Sequence, residues 1–580
     1  MRIAAFLLFL PACAAAQDKP QYPPGMNGEF IARVRGVSGA AKPGGAGRFG
    51  AIPSPINAFY SRYPAGGGPK PLSGAAPPSS YDLRTYGKVT AVRDQGNCGS
   101  CWAFATMGSL ESYLLTGETW DFSENNLKNT HGFDVGACDG GNIDMSSAYL
   151  LRWSGPVLES QDPYVDSPNH SPTGLAPSKH AQNHIYIPPR TGPADNNGIK
   201  NAVVNYGAVA VMMKWSGGAY NSATSSYYYS SGGYDGLHEV AIIGWDDNYP
   251  LSNFIVHPAG NGAFLVKNSW GTGWGNAGYF YVSYYDAAFA ARIADDTAYF
   301  GAVFGANNTS NYDRSYQYDP LGWAYSYPSA TGTWFANMFT STASSEAITG
   351  AGFYTYSPAT SYEMKVYTGG AAASPAGGTL AFSTAGVLAE AGFHTLPVTG
   401  VNVAYKDRFS VVVRIVSPPD TDFVIPVELA IDGYSSASAP QSGRGYVSVD
   451  GTAWTDAASL VYPSNICLKA YGKGGVTMSG DNLLAALKVY PNPSKPGSDG
   501  GVKFANLPGF AAPEIRIYTV SGKLARKLTV GDGIMDNPSG MTTGLWDGRN
   551  SSGEHMASGV YIYSVKARDC TRTGKAGILW

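Results

Sequence analysis

Residues 94–104 read Asp94-Gln95-Gly96-Asn97-Cys98-Gly99-Ser100-Cys101-Trp102-Ala103-Phe104. Cys101 stands behind a glycine-rich turn. After it, Trp102 to Leu115 alternate apolar and small residues at helical spacing, with no proline. The pattern predicts a buried helix that starts at Cys101. A thiol at a helix N-terminus faces unpaired N–H groups and the positive end of the helix dipole, which stabilise its thiolate. Cys101 is therefore the candidate nucleophile. Two other readings of Cys98-x-x-Cys101 stand beside this one: a dithiol redox pair and half of a zinc site. No βαβ pattern surrounds the pair, and no second Cys/His pair lies at zinc-ligand spacing.

A thiol nucleophile needs a base, and the base needs a group that orients it. His238 opens the apolar run His238-Glu239-Val240-Ala241-Ile242-Ile243-Gly244-Trp245, behind a turn region containing Gly232, Gly233 and Gly236. Asn268 follows a second apolar run, Phe264-Leu265-Val266-Lys267, and leads into Ser269-Trp270-Gly271-Thr272-Gly273-Trp274-Gly275. In both places a strand delivers a polar residue to its end. His238 would take the thiol proton and return it to the leaving amine, and Asn268 would hold the imidazole without adding charge. Gln95 is placed to add its side-chain N–H to the Cys101 backbone N–H in an oxyanion hole.

With Gln95, Cys101, His238 and Asn268 in this order, residues 81 to about 300 resemble the papain-like cysteine proteases. The resemblance implies an α+β protease of two subdomains that hydrolyses peptide bonds through an acyl-enzyme, with protein or peptide substrates and no cofactor or metal. It implies that Trp270 shields the Asn–His hydrogen bond. It also implies that Cys138-Asp139-Gly140-Gly141 pairs its glycine backbone with the P2 residue of a substrate. Asn142 and Ile143 would wall the S2 pocket, with Leu237 and Trp274 also lining the cleft. In the family the Cys three before the nucleophile pairs with the Cys before the Gly-Gly segment, so a Cys98–Cys138 disulfide is implied. Cys467 and Cys570 are then expected as free buried thiols. Three departures accompany the likeness. No long helical pro-region pattern precedes Tyr81. Leu237 replaces the carboxylate that papain has beside its His, and Glu239 follows His238 where a small residue is commoner.

The rest of the 580-residue chain frames this domain. Arg2, the apolar run Ile3 to Leu10 and Ala14-Ala15-Ala16 read as an export signal over 1–16, which places the product outside the cytoplasm, secreted or at the cell surface. Leu10-Pro11-Ala12-Cys13 offers a less favoured lipid-anchor reading. Residues 17–80 are rich in Pro, Gly, Ala and Ser, a spacer or removable pro-segment. Aromatic residues are 13% and charged residues 14%, with 73 Gly, so the remainder reads as turn-rich β structure, not disorder. Two all-β sandwich domains are expected, at 304–472 and 481–580. The first resembles the lectin-like domain of clostridial surface-layer cysteine proteases, as does Phe122-Ser123-Glu124-Asn125-Asn126. In it, Asp313 and Asp319 are read as solvated surface carboxylates, with calcium ligation as the lesser reading. The second, with Val489-Tyr490-Pro491-Asn492-Pro493 and Leu545-Trp546-Asp547-Gly548, resembles Ig-like domains of the flagellar hook-capping (FlgD-like) type. Cell-surface or matrix glycans are a possible further partner. A net charge of −3 leaves no electrostatic footprint for nucleic acid, and no apolar run reaches membrane-span length. The alternative function is an inactive protease scaffold serving as an adhesin or glycan-binding protein.

Overall fold

The computed structural model describes residues 26, 28–34, 49–56, 76–115, 117–294, 297–329, 332–370, 374–416, 423–475, 484, 487–508, 512–535, 541–567 and 570–580. The export signal, Cys13 and most of the 17–80 segment lie outside the described residues.

The helix Cys101–Leu114 is buried along almost its whole length. An all-round apolar helix belongs in a core, and this one packs against the strands Val209–Trp215, Gly236–Asp246 and Gly301–Asn308. Those strands belong to a 13-stranded sheet. Gly236–Asp246 lies between Val209–Trp215 and Ala263–Lys267, antiparallel to both. Asn268 is the first residue beyond Lys267, and His238 sits opposite Met213. The short helices Glu124–Thr130 and Ile143–Leu151 start at Ser123 and Asn142, whose side chains accept from the Asn126 and Met145 N–H groups. These caps satisfy backbone donors that a helix start leaves open.

The same sheet continues into the second region. Gly301–Asn308 pairs with Lys179–Ile187, and Ala391–Phe393 pair with Tyr186–His184 on the opposite edge. Lys179–Ile187 is thereby paired along one edge and at His184 to Tyr186 on the other, which leaves fewer unpaired backbone groups. The strand Gly301–Asn308 thus runs across the expected boundary near 304. Beyond it, the long sheet faces a six-stranded sheet of order 379–388, 360–368, 408–416, 334–340, 445–448, 455–456. Phe353 and Phe393 from one side and Phe335, Val411 and Val413 from the other share a core. Asp319 corrects the surface reading: it is 1% exposed and pairs with Lys469 at 2.8 Å. A buried carboxylate needs such a partner. Asp313 is exposed and accepts from the Gly474 N–H at 2.6 Å. Cys467 is buried, whereas Cys570 is only half-buried.

Residues 488–578 form a separate eight-stranded sheet around Phe504, Ile515, Trp546 and Val565, with Tyr405 reaching into that core. At the other end of the chain, Met26, Phe30, Ile52 and Ile56 are buried in the main core. Phe30, on the helix Gly28–Val34, meets Tyr434 edge-on with ring centroids 5.1 Å apart. Glu29 pairs with Lys214 at 3.3 Å and accepts from the Tyr299 hydroxyl at 2.9 Å. These two stretches are docked against the folded body, which the composition of 17–80 did not announce.

Candidate active site

Cys101 is the first residue of its helix and is fully buried. The Glu239 N–H donates to its sulfur at 3.4 Å, and the Gly50 and Trp102 N–H groups also bond it. The turn before it is tied down on several sides. Cys98 and Cys138 form a disulfide, and the Gly99 N–H donates to the Cys138 carbonyl at 3.1 Å. The Tyr164 hydroxyl lies 2.8 Å from the Gln95 carbonyl and 2.6 Å from the Ser100 hydroxyl. Tyr164 is a supporting residue that no local motif marked.

His238 and Asn268 meet with Nε2 2.8 Å from Oδ1. An amide oxygen only accepts, so Nε2 carries the proton, and a neutral ring then keeps its lone pair on Nδ1. The Ser269 N–H donates to the same Oδ1 at 2.8 Å, which fixes the amide's orientation. Trp270 stacks on the imidazole with centroids 4.7 Å apart. Trp274 packs edge-on against Trp270 at 4.9 Å and stacks on Tyr220 at 4.8 Å. Gln95 is buried; its Nε2 donates to the Cys98 carbonyl at 2.8 Å and its Oε1 accepts from Ser269 at 2.7 Å. Both bonds aim its amide at the turn that carries Cys101.

The cleft over this group is occupied by the chain's own residues 49–56. Phe49 lies edge-on to His238 and Trp270, with centroids 6.1 and 5.9 Å away, and 6.4 Å from Trp215. The Gly50 carbonyl accepts from the Gly141 N–H at 2.9 Å, and the Ile52 N–H donates to the Gly141 carbonyl at 2.9 Å. The Ala51 N–H donates to the Leu237 carbonyl at 3.2 Å. A Cβ on Gly50 would sit 2.0 Å from the Gly99 oxygen, and one on Gly141 would sit 2.2 Å from the Trp102 indole. Only glycine permits either approach. Residues Gly50 and Ile52 bond Gly141 from either side of Ala51, which is a parallel bridge. A single P2 residue exchanging both bonds with Gly141 would be antiparallel to it. The segment therefore lies in the cleft in the opposite direction.

Asn142 and Ile143 lie beneath this segment. Asn142 caps its helix and donates to the Pro53 carbonyl at 3.4 Å, while Ile143 is 3% exposed in the main core. Burial pushes the Cys101 thiol up to about 12, and the nearby Glu239 adds to that rise. Burial also pulls His238 down to about 4, against the raising effect of its bond to Asn268. Both shifts favour a neutral thiol beside a neutral imidazole.

Residues 77–299 match the family model of the papain family cysteine protease, and residues 315–472 match that of the lectin-like domain. Chicken (Gallus gallus) cathepsin K is 33% identical over 214 residues, 35% of this chain and 58% of that protein. Thiol protease SEN102 of Hemerocallis sp. is 31% identical over 211 residues, 36% of this chain and 54% of its own length. The chain thus spans little more than half of the curated relatives it matches. Among solved structures, the clostridial cysteine protease Cwp84 after propeptide cleavage is 25% identical with a TM-score of 0.61, covering 69% of this chain and all of that one. The protease and lectin-like domains of Cwp84, a surface layer associated protein of Clostridium difficile, give a TM-score of 0.63 at 24% identity, covering 78% of this chain and 97% of theirs.

Proposed function

We propose that this chain is a cysteine endopeptidase held shut by its own residues 49–56. The carrying observation is that Cys101, at a helix start, shares one buried site with the His238–Asn268 pair, and that a peptide segment is already bonded across it to Gly141 and Leu237. Cys101 attacks the scissile carbonyl, His238 moves the proton, and Gln95 with the Cys101 N–H stabilises the oxyanion. The reversed segment puts no carbonyl in a productive direction before Cys101, and its burial of the site keeps thiol and imidazole neutral. Removing it restores water to both groups, which lowers the thiol pKa and raises the imidazole pKa toward the ion pair that attacks. An exported or surface location is supported by the likeness to Cwp84 and by the reading of 1–16. The lectin-like region is the part that would meet a glycan.

The test is labelling by an epoxysuccinyl thiol-protease inhibitor before and after limited proteolysis within 57–75. The proposal expects a covalent adduct at Cys101 and peptide hydrolysis only in the cut protein. A cut, folded protein that neither reacts nor hydrolyses peptides favours the inactive-scaffold alternative.

A further inference from the structure

Between the helix that carries Cys101 and the strands that carry His238 and Asn268 lies a cavity of about 20 Å³, lined by Phe104, Ala105 and Gly108 of the one and Glu239, Val240 and Lys267 of the others. That is room for about one water molecule. Glu239 and Asn268 both line it. Glu239 is fully buried, and neither oxygen of its carboxyl has a protein hydrogen-bond partner among the described residues. The same holds for Nδ2 of Asn268, whose Oδ1 is already engaged by His238 and by the Ser269 N–H. Two residues that each carry an unmet buried polar group, a donor on the Asn268 amide and acceptors on the Glu239 carboxyl, thus line one water-sized space. Left unmet, each is penalised for the water it gave up.

Glu239 stands where the sequence departs from its family's small residue, and its place on the strand explains what it does there. Successive residues of a strand point to opposite faces, so His238 turns toward the cleft and Glu239 toward the helix that carries Cys101. We infer that Glu239 is a positioning residue of the peptidase: through one buried water it accepts from Asn268 Nδ2 and so locks the amide that orients His238. Asn268 then has both ends held, Oδ1 by His238 and Ser269, and Nδ2 by the water that donates onward to Glu239. Other charged groups around this space are Arg93, Glu111, Glu124 and Lys267 on the cavity wall and Asp144 within electrostatic range of Glu239. Burial pushes the Glu239 carboxyl well up, with Asp144 adding to the rise. A neutral carboxyl still accepts from the water, so the bridge does not require a charge behind the site.

This inference rests on the peptidase reading, and its test separates the two. Wild type, Glu239→Met, Glu239→Gln, Asn268→Ala and Glu239→Met/Asn268→Ala are activated in the same way and assayed on one peptide. Loss of a bridge of this kind is worth about 0.5–1.5 kcal/mol, so Glu239→Met is expected to lower kcat about 2- to 12-fold with little change in KM. Glu239→Gln, which keeps an acceptor, stays within about twofold of wild type. Glu239→Met is expected to match or exceed the wild-type Tm, because it removes a poorly satisfied buried carboxyl. A merely structural role would move Tm and kcat down together. The double variant is expected to be no slower than Asn268→Ala alone, since the water acts only through that amide. Wild-type kcat in Glu239→Met, a loss in KM alone, or a full multiplicative loss in the double variant overturns the inference. A high-resolution crystal structure of the wild-type chain gives a second measure: an ordered water between Glu239 and Asn268 Nδ2 supports it, and a dry contact or empty space there overturns it. An inert wild type with unreactive Cys101 would instead strike at the peptidase reading.

Discussion

Residues 49–56 and residues 488–578 stand at opposite ends of the chain and couple to it in opposite ways. The first is eight residues long, yet Ile52 and Ile56 are buried in the main core and its backbone bonds both Gly141 and Leu237. The second is an eight-stranded sheet with a core of its own, which Tyr405 also enters. The short stretch has no internal ladder and takes its shape from the groove it fills. The long one satisfies its own backbone and owes little to its neighbour. Size therefore says little about which region controls the site; shared hydrogen bonds and shared core do.

The sharpest way to break this comparison is to remove the chemistry that the short segment covers. Cys101→Ala is expected to abolish peptide hydrolysis in a chain that keeps its fold and its docked segment, read by peptide assay and circular dichroism. Retained turnover would leave the segment with nothing to guard. Gln95→Ala in the opened enzyme is expected to lower kcat by about 10²–10³, the usual loss for one oxyanion donor. Unchanged kinetics would remove Gln95 from the site.

Gly50→Val tests the segment itself. Its side chain would enter the Gly99 oxygen, an overpacking worth about 1–3 kcal/mol. The uncut variant is expected to hydrolyse peptide measurably, where the uncut wild type does not. If it remains as silent as wild type, the segment is not the lock.

A smaller effect is expected from pH. Burial raises Asp144, which accepts from the Ser54 hydroxyl of the segment, and Glu428 in the second region, each to about 7. Their unfolded values lie near about 4. At these two groups the folded chain binds more protons than the unfolded one between these values, so their contribution to stability falls as pH rises from about 4 through about 7. Buried His238, held down to about 4, contributes the opposite slope, so the effect of Asp144 is read as a difference: the Tm of Asp144→Asn relative to wild type should rise as pH goes from about 4 to about 7. The smallest effect belongs to the long region. A chain ending at 475 is expected to keep wild-type kcat and KM once opened, and a loss in either would mean that the C-terminal sheet supports the site after all.

The legibility of the site followed the range of its contacts. Cys101, His238 and Asn268 were legible as candidates because short local patterns put them at a helix start, early in one strand and just beyond another; Gln95 was read from its place six residues before Cys101. The implied Cys98–Cys138 pairing is the one the structure contains. Asp319 was misjudged because its partner Lys469 lies 150 residues away in the chain. Trp215, Tyr164 and Phe49 escaped notice because each acts on the site across long sequence separations, with no local pattern to mark it.

By itself, then, the sequence singled out the candidate nucleophile, base and orienting amide, and the helix and strands that carry them. Those properties are local, set by residue type, periodicity and turns. Only the tertiary structure decided that a glycine- and proline-rich stretch lies reversed in the cleft, that one sheet runs from the first region into the second, and that Glu239 borders the same small cavity as Asn268. An aperiodic segment carries no signal of its conformation, since the surface it fills supplies one. Strand pairing across two hundred residues is likewise settled by which edges remain open once the cores have packed.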